Sequence, residues 1–188
     1  MVERKTLGIT PSQTVGPFFH YCLTPAGYPY QAAVDAAISG AGAAIEIVGA
    51  VLDGDGVPVG DAMLEFWQAD AAGRYAGTDA GLPANAPFRG FARVATDASG
   101  VFRLQTVKPG AAGAGAPHIA VSVLGRGLLN RLYTRVYFAG EAANATDPVL
   151  ALVPAERRST LIATQEAFGQ WRFDIRLQGE GETVFFAV

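Results

Sequence analysis

The sequence predicts an all-β fold, a β-sandwich or a barrel-like pair of sheets, and three observations predict it. Short segments alternate apolar and polar residues with a period of two, glycine-rich turns separate them, and a single stretch invites a helix. Ile45, Ile47, Gly49 and Val51 alternate with Glu46, Val48 and Ala50, a strand that runs into the turn formers Asp53, Gly54, Asp55 and Gly56. The chain is then expected to return as a strand over Asp61 to Gln68. Ala62, Leu64 and Phe66 would face one way and Met63, Glu65 and Trp67 the other, with Phe66 and Trp67 read as core aromatics. Asp97, Ala98, Ser99 and Gly100 make a second turn ahead of a strand over Val101 to Val107. His118 to Leu124 and Leu132 to Phe138 repeat the pattern. Trp171, Phe173, Ile175 and Leu177 alternate with Arg172, Asp174, Arg176 and Gln178, the signature of a half-buried strand. The helix-like stretch is Pro154 to Thr164, with proline near its start. Gly110 to Ala116 lacks the strand-then-helix setting of a phosphate loop and reads as a flexible, side-chain-poor connection.

A chain of 188 residues suits one domain, 1–188, with a continuous apolar core. Half of its residues are hydrophobic and 16% are charged, against roughly 25% in ordinary soluble domains. Something other than water is expected to cover part of its surface. A membrane does not fit, because no run approaches the ~20 apolar residues of a span and Glu46 and Asp53 bracket the best one. An oligomer interface fits better. The opening MVERKTLGITPSQ has no apolar signal core, so a cytoplasmic location is expected. Cys22 is the lone cysteine, which excludes an internal disulfide and a thiolate-rich metal site. A net charge of −3 without a basic cluster argues against nucleic acid. Two histidines, His20 and His118, cannot build a site of several imidazoles. No HExxH, GxSxG or Walker pattern occurs, and no carboxylate pair stands out for acid/base work.

Four stretches carry a resemblance: TPSQTVGPFFH (Thr10 to His20), EFWQADAAGRY (Glu65 to Tyr75), TVKPG with a following PHI (Thr106 to Ile119), and RFDIRLQGEGETVFF (Arg172 to Phe186). Together they resemble the intradiol ring-cleaving dioxygenases, and among these the α subunits of the protocatechuate-cleaving type. The resemblance spans nearly the whole chain. It implies a β-sandwich of mixed sheets with long loops and little helix. It also implies a non-haem ferric ion, held in catalytic members by two tyrosines and two histidines. The first tyrosine ends the GRY motif, here Tyr75. The second lies in the loop after KPG, where this chain has only glycine and alanine between Pro109 and Pro117. The histidines form an HxH pair, whose members reach one ion because strand residues i and i+2 share a face. Here the pair is His118 and Ala120, and a methyl group donates nothing to a metal.

The expectation is therefore a chain that holds no catalytic iron, with Tyr75, His118 and Ala120 as vestigial positions. A partner β subunit would hold the Fe³⁺ in a higher-order αβ oligomer. The resemblance implies that Thr14, Gly16 and Pro17, within an N-terminal segment of about residues 1–40 that packs on the partner, line its substrate pocket. Glycine permits close backbone approach, proline fixes φ, and the threonine hydroxyl can hydrogen-bond. Phe18 stands where related chains often have tyrosine. Arg126, by its position after the PHI strand, would face the substrate carboxylate of protocatechuate. Taken singly, Tyr75 reads as a packed loop aromatic, His118 as a structural histidine, and Arg126 equally well as a solvated loop residue. His20 receives no role. Two other functions compete: a free-standing binding module, and a self-sufficient catechol dioxygenase drawing ligands from Tyr133 or Tyr137.

Overall fold

The computed structural model describes residues 11–16, 23, 37–78, 81–83 and 86–187. Among these residues nine strands form: β1 (Ala44–Leu52), β2 (Met63–Gln68), β3 (Phe91–Ala95), β4 (Val101–Val107), β5 (His118–Leu124), β6 (Leu132–Phe138), β7 (Ile162–Ala167), β8 (Gln170–Arg172) and β9 (Ile175–Arg176). Three short 3₁₀ segments are Ala142–Thr146, Leu150–Leu152 and Ala155–Leu161. None of the described helices is long and apolar enough to cross a membrane.

Hydrogen bonds connect the strands in the order β3-β2-β5-β6-β7-β8-β1-β4, with β9 also on β1. The path folds into two layers. Phe66 on β2 and Phe102 on the terminal β4 are far apart in that order, yet their rings lie 5.8 Å apart inside the core. Phe138 and Trp171 meet edge to face at 5.0 Å. Strand β7 is the seam, parallel to β6 through Tyr137–Ile162 and antiparallel to β8. With β8 and β9 also parallel to β1, the sheets are mixed. Ile47, Leu64, Phe66, Leu104, Ile119 and Phe138 are fully buried, as the period-two reading requires.

Five expectations change. The turn after β1 forms, because Asp53 Oδ1 accepts the N–H groups of Asp55 at 2.9 Å and Val57 at 2.8 Å. The return then stops at one antiparallel bridge, Leu52–Pro58. Val59 still donates its N–H to the Val51 carbonyl at 2.9 Å, but the Val51 N–H goes to the Gly100 carbonyl at 2.9 Å, and Gly60, packed against Asp97 and Ala98, turns the chain away. Strand β2 thus pairs with β3 and β5 instead of β1.

The strand expected over Trp171 to Gln178 is split into β8 and β9, although Glu46–Gln170 and Leu52–Arg176 keep one register with β1. At the break the Asp174 carboxylate accepts the Ala50 N–H at 2.8 Å in place of a backbone carbonyl. A Cβ on Gly49 would lie 1.7 Å from the Phe173 carbonyl oxygen.

The stretch Pro154 to Thr164 is 3₁₀ only from Ala155 to Leu161. Ile162 and Ala163 are drawn into β7 by pairing with Tyr137 and Phe138. Trp67 is 38% exposed, since it occupies the outward face of β2 while Phe66 takes the inward one. The 110–116 connection is fixed. The Ala116 N–H donates to Asp147 Oδ2 at 2.8 Å and the Gly110 N–H to the Asp70 carbonyl at 2.9 Å.

Candidate functional site

Strand β5 carries two groups of candidate residues at its two ends, about 20 Å apart on a rise of ~3.3 Å per residue. His118 and Ala120 lie at its start; Arg126 follows its end at Leu124.

The first group is assembled by the loop after β2. Asp70 Oδ1 accepts the N–H groups of Ala72 at 3.0 Å and Arg74 at 2.9 Å, and Oδ2 accepts Arg74 Nη2 at 2.7 Å. Burial works to raise the Asp70 pKa, but the Arg74 guanidinium and these N–H groups outweigh it and hold the carboxyl below its ordinary value. Gly73 has φ +80°, and a Cβ there would meet the Ala111 carbonyl oxygen at 1.9 Å. This explains the glycine of the GRY motif and delivers Tyr75 next to β5.

The Tyr75 ring stacks on Trp67, centroids 6.0 Å apart and planes within 9°. Its hydroxyl is 3.4 Å from His118 Nε2. His118 Nδ1 donates to the Ala116 carbonyl at 2.8 Å, which places the proton on Nδ1 and leaves the Nε2 lone pair toward the phenol. Burial lowers the His118 pKa and raises that of Tyr75, so both are neutral near pH 7.

Ala120 pairs across the sheet with Trp67 on one side and Arg135 on the other. The Arg135 Nη1 lies 3.4 Å from the Tyr137 hydroxyl, and Nε is buried without a partner among the described residues. Burial works against the Arg135 charge, but the Tyr137 and Tyr133 hydroxyls overcompensate and the group stays cationic. That fixed charge also disfavours a proton on His118. Tyr137 is fully buried and donates to Asp147 Oδ1 at 3.1 Å; burial pushes its pKa up to about 12. Tyr133 instead helps wall a shallow cavity of about 270 Å³ with Trp67, Phe91, Ala120 and Arg131. Beside this group, residues 110–116 offer no side chain longer than a methyl. Among the described residues no three His, Cys, Asp or Glu side chains converge as a metal cluster.

The second group gathers at the far end of β5. The Thr14 hydroxyl accepts the Gly127 N–H at 2.8 Å and reaches the Gly125 carbonyl at 3.5 Å, gripping the chain on both sides of Arg126. The Arg126 Nε donates to Asp61 Oδ2. Gly16 is exposed, lacks a positive φ, and a Cβ there would meet nothing within 4 Å. Pro17, Phe18, His20 and Cys22 lie outside the described residues. The fold thus brings Thr14 and Arg126 together and keeps them apart from Tyr75, His118 and Ala120. Sequence reading missed Asp61, Arg135 and Asp147. Arg135 was in reach, being the register partner of Ala120 once β5 and β6 are paired; Asp147 sits in a 3₁₀ turn with no periodicity to signal it.

Comparison with known proteins agrees with the fold. The Dioxygenase family profile matches residues 15–179. The protocatechuate 3,4-dioxygenase alpha chain of Burkholderia cepacia is 52% identical, over 97% of this chain and 99% of that one. The beta chain from the same organism is 40% identical, over 76% and 67%. Hydroxyquinol 1,2-dioxygenase from Pseudomonas putida DLL-E4 superposes with a TM-score of 0.62 at 20% identity, over 92% of this chain and 68% of that one, a likeness of fold. Family, sandwich and ordered motifs agree, and this chain belongs to the intradiol dioxygenases, a family of non-haem iron enzymes.

Proposed function

We propose that this chain is the iron-free α subunit of a cytoplasmic protocatechuate 3,4-dioxygenase, completing the pocket of an iron-bearing β subunit. The assembly would cleave 3,4-dihydroxybenzoate with O₂, between its hydroxyl-bearing carbons, to 3-carboxy-cis,cis-muconate. The observation that carries the proposal is the donor set around His118. Tyr75 and His118 are one phenol and one imidazole, both neutral and already facing each other at 3.4 Å. Ala120 and the 110–116 loop add no donor, and the Arg135 cation stands close by. These residues do not fit a ferric ion, which needs several hard anionic or imidazole ligands.

What remains for this chain is positioning. In this reading Gly16, beside which a Cβ would meet none of the described residues within 4 Å, lets a bare backbone lie close to a planar ring in the partner's pocket. Thr14 and Pro17 belong to the same motif, and the N-terminal segment of about residues 1–40 is read as reaching the α/β interface, apart from Ala37 and Ile38, which pair with Gln105 and join this chain's own core. Leu129, 61% exposed near Val15 across a small cleft, extends that surface. Arg126 carries a guanidinium suited to the substrate carboxylate. The test is metal analysis and ring-cleavage assay of this chain alone and co-expressed with its β partner. Iron and turnover are expected only in the co-expressed assembly; stoichiometric iron with ring cleavage by the isolated chain would overturn the proposal.

A further inference from the structure

The pairing register of β2 and β5 carries one more step. Met63 pairs with Leu124 and Leu64 with Val123, so continuing the antiparallel ladder by two positions sets Asp61 opposite Arg126. The ion pair between Arg126 Nε and Asp61 Oδ2 follows from that register. Asp61 is the better-fixed partner. Its neighbour Ala62 is 1% exposed and doubly tied to Thr96, which accepts the Ala62 N–H on Oγ1 at 3.0 Å and donates its own N–H to the Ala62 carbonyl at 2.9 Å. Gly60 is packed against Ala98 on the other side. Arg126 sits in a glycine-flanked turn, 64% exposed at its side chain, and among the described residues nothing else holds the guanidinium plane. A free arginine samples many rotamers, whereas one held at Nε keeps both Nη groups free in a fixed plane, the arrangement a carboxylate binds in bidentate fashion.

We infer that Asp61 is a positioning residue: by holding Arg126 at Nε, it aims the two Nη groups at the carboxylate of the substrate. The inference rests on the reading of Arg126 as a pocket residue and names the group that makes it selective. Two effects of Asp61 oppose each other. Its hydrogen bond orients the guanidinium, while its negative charge repels an anionic substrate. If orientation dominates, Asp61→Ala loses function, and Asp61→Asn, which keeps an acceptor oxygen of the same reach, does not.

The experiment uses the co-expressed αβ assembly, with 3,4-dihydroxybenzoate and unsubstituted catechol as substrates. Asp61→Ala is expected to lower kcat/KM for the carboxylated substrate about fivefold, mainly through KM, and to leave catechol within twofold. Asp61→Asn is expected within twofold of the parent on both. In an Arg126→Ala background, Asp61→Ala should add less than a further twofold, since the group it orients is gone. Equal losses for the alanine and asparagine variants, or a loss that multiplies with that of Arg126→Ala, would overturn the inference. So would an unchanged kcat/KM in Asp61→Ala while Arg126→Ala is impaired, which leaves the reading of Arg126 standing. An Arg126→Ala assembly with parental kinetics on both substrates would remove Arg126 from the pocket and the inference with it.

Discussion

Asp147 offers the sharpest perturbation of the region around His118. Its Oδ1 accepts Tyr137 Oη at 3.1 Å, the Val149 N–H at 2.9 Å and the Leu150 N–H at 2.8 Å, while Oδ2 accepts the Ala116 N–H at 2.8 Å. Ala116, Tyr137 and Leu150 are each at most 2% exposed, so three of the four donors have no route to water without local opening. A buried donor stripped of its acceptor costs about 1–3 kcal/mol. Relief from holding a buried carboxylate offsets part of the sum, which places Asp147→Ala at about 3–4 kcal/mol. Asp147→Asn keeps an acceptor for three donors but turns an amide toward the Ala116 N–H, for a loss of about 1–2 kcal/mol. The assay is urea unfolding of the co-expressed assembly at pH 7, followed by circular dichroism. With m near 2 kcal/mol/M, the alanine variant should unfold at a midpoint about 1.5 M lower. A midpoint within about 0.3 M of the parent would refute the claim that this carboxylate anchors the Ala116 end of the 110–116 loop.

Acid titration gives a second expectation. Burial works to raise the Asp147 pKa, but the Leu150, Ala116 and Val149 N–H groups and the Tyr137 hydroxyl win and hold it below its ordinary value. Its contribution is therefore complete above the unfolded pKa of about 3.9 and is lost as pH falls through the lower folded value. The stability gap between parent and Asp147→Asn should be constant from pH 7 to about pH 4 and shrink below that; a gap that widens on acidification would contradict the assignment. Gly49→Ala should abolish soluble, folded chain, because its Cβ would lie 1.7 Å from backbone oxygen; recovery of the variant at parental yield would show that β1 can move there. Ala120→His restores the HxH spacing but supplies neither the missing phenol nor relief from Arg135, so the isolated variant should bind no stoichiometric iron by elemental analysis.

Strands whose two faces differ in polarity were legible from sequence. Val101–Val107, His118–Leu124 and Leu132–Phe138 have the bounds the alternation predicts, because each sets one face against the core. Periodicity says which face is buried but not which strand is the neighbour, and so β2 was expected beside β1. The break at Phe173–Asp174 was hidden for a related reason. Alternation of side chains continues through it, while the backbone hydrogen bond passes to a carboxylate. Strand β7 lies under a sequence, Ile162 to Ala167, whose outward residues are mostly exposed and carry little apolar signal. At the site, the residue types could be read directly, since Ala120 carries no imidazole and residues 110–116 are glycine and alanine. The Thr14 grip on Gly127 and the Asp61–Arg126 pair join positions 113 and 65 residues apart. No local pattern announces contacts of that separation.

The pairing of β1 with the segment from Gln170 to Arg176 spans 124 residues. During synthesis β1 can dock on β4 early, but its other flank stays bare until nearly the whole chain has left the ribosome. Closing so large a loop makes this late ladder slow to form, and until then a central strand presents open N–H and C=O groups to any neighbour. A ribosome that stalls, or a truncation before Trp171, would thus release a chain with an open edge in the middle of its sheet, prone to aggregate before it could meet a partner.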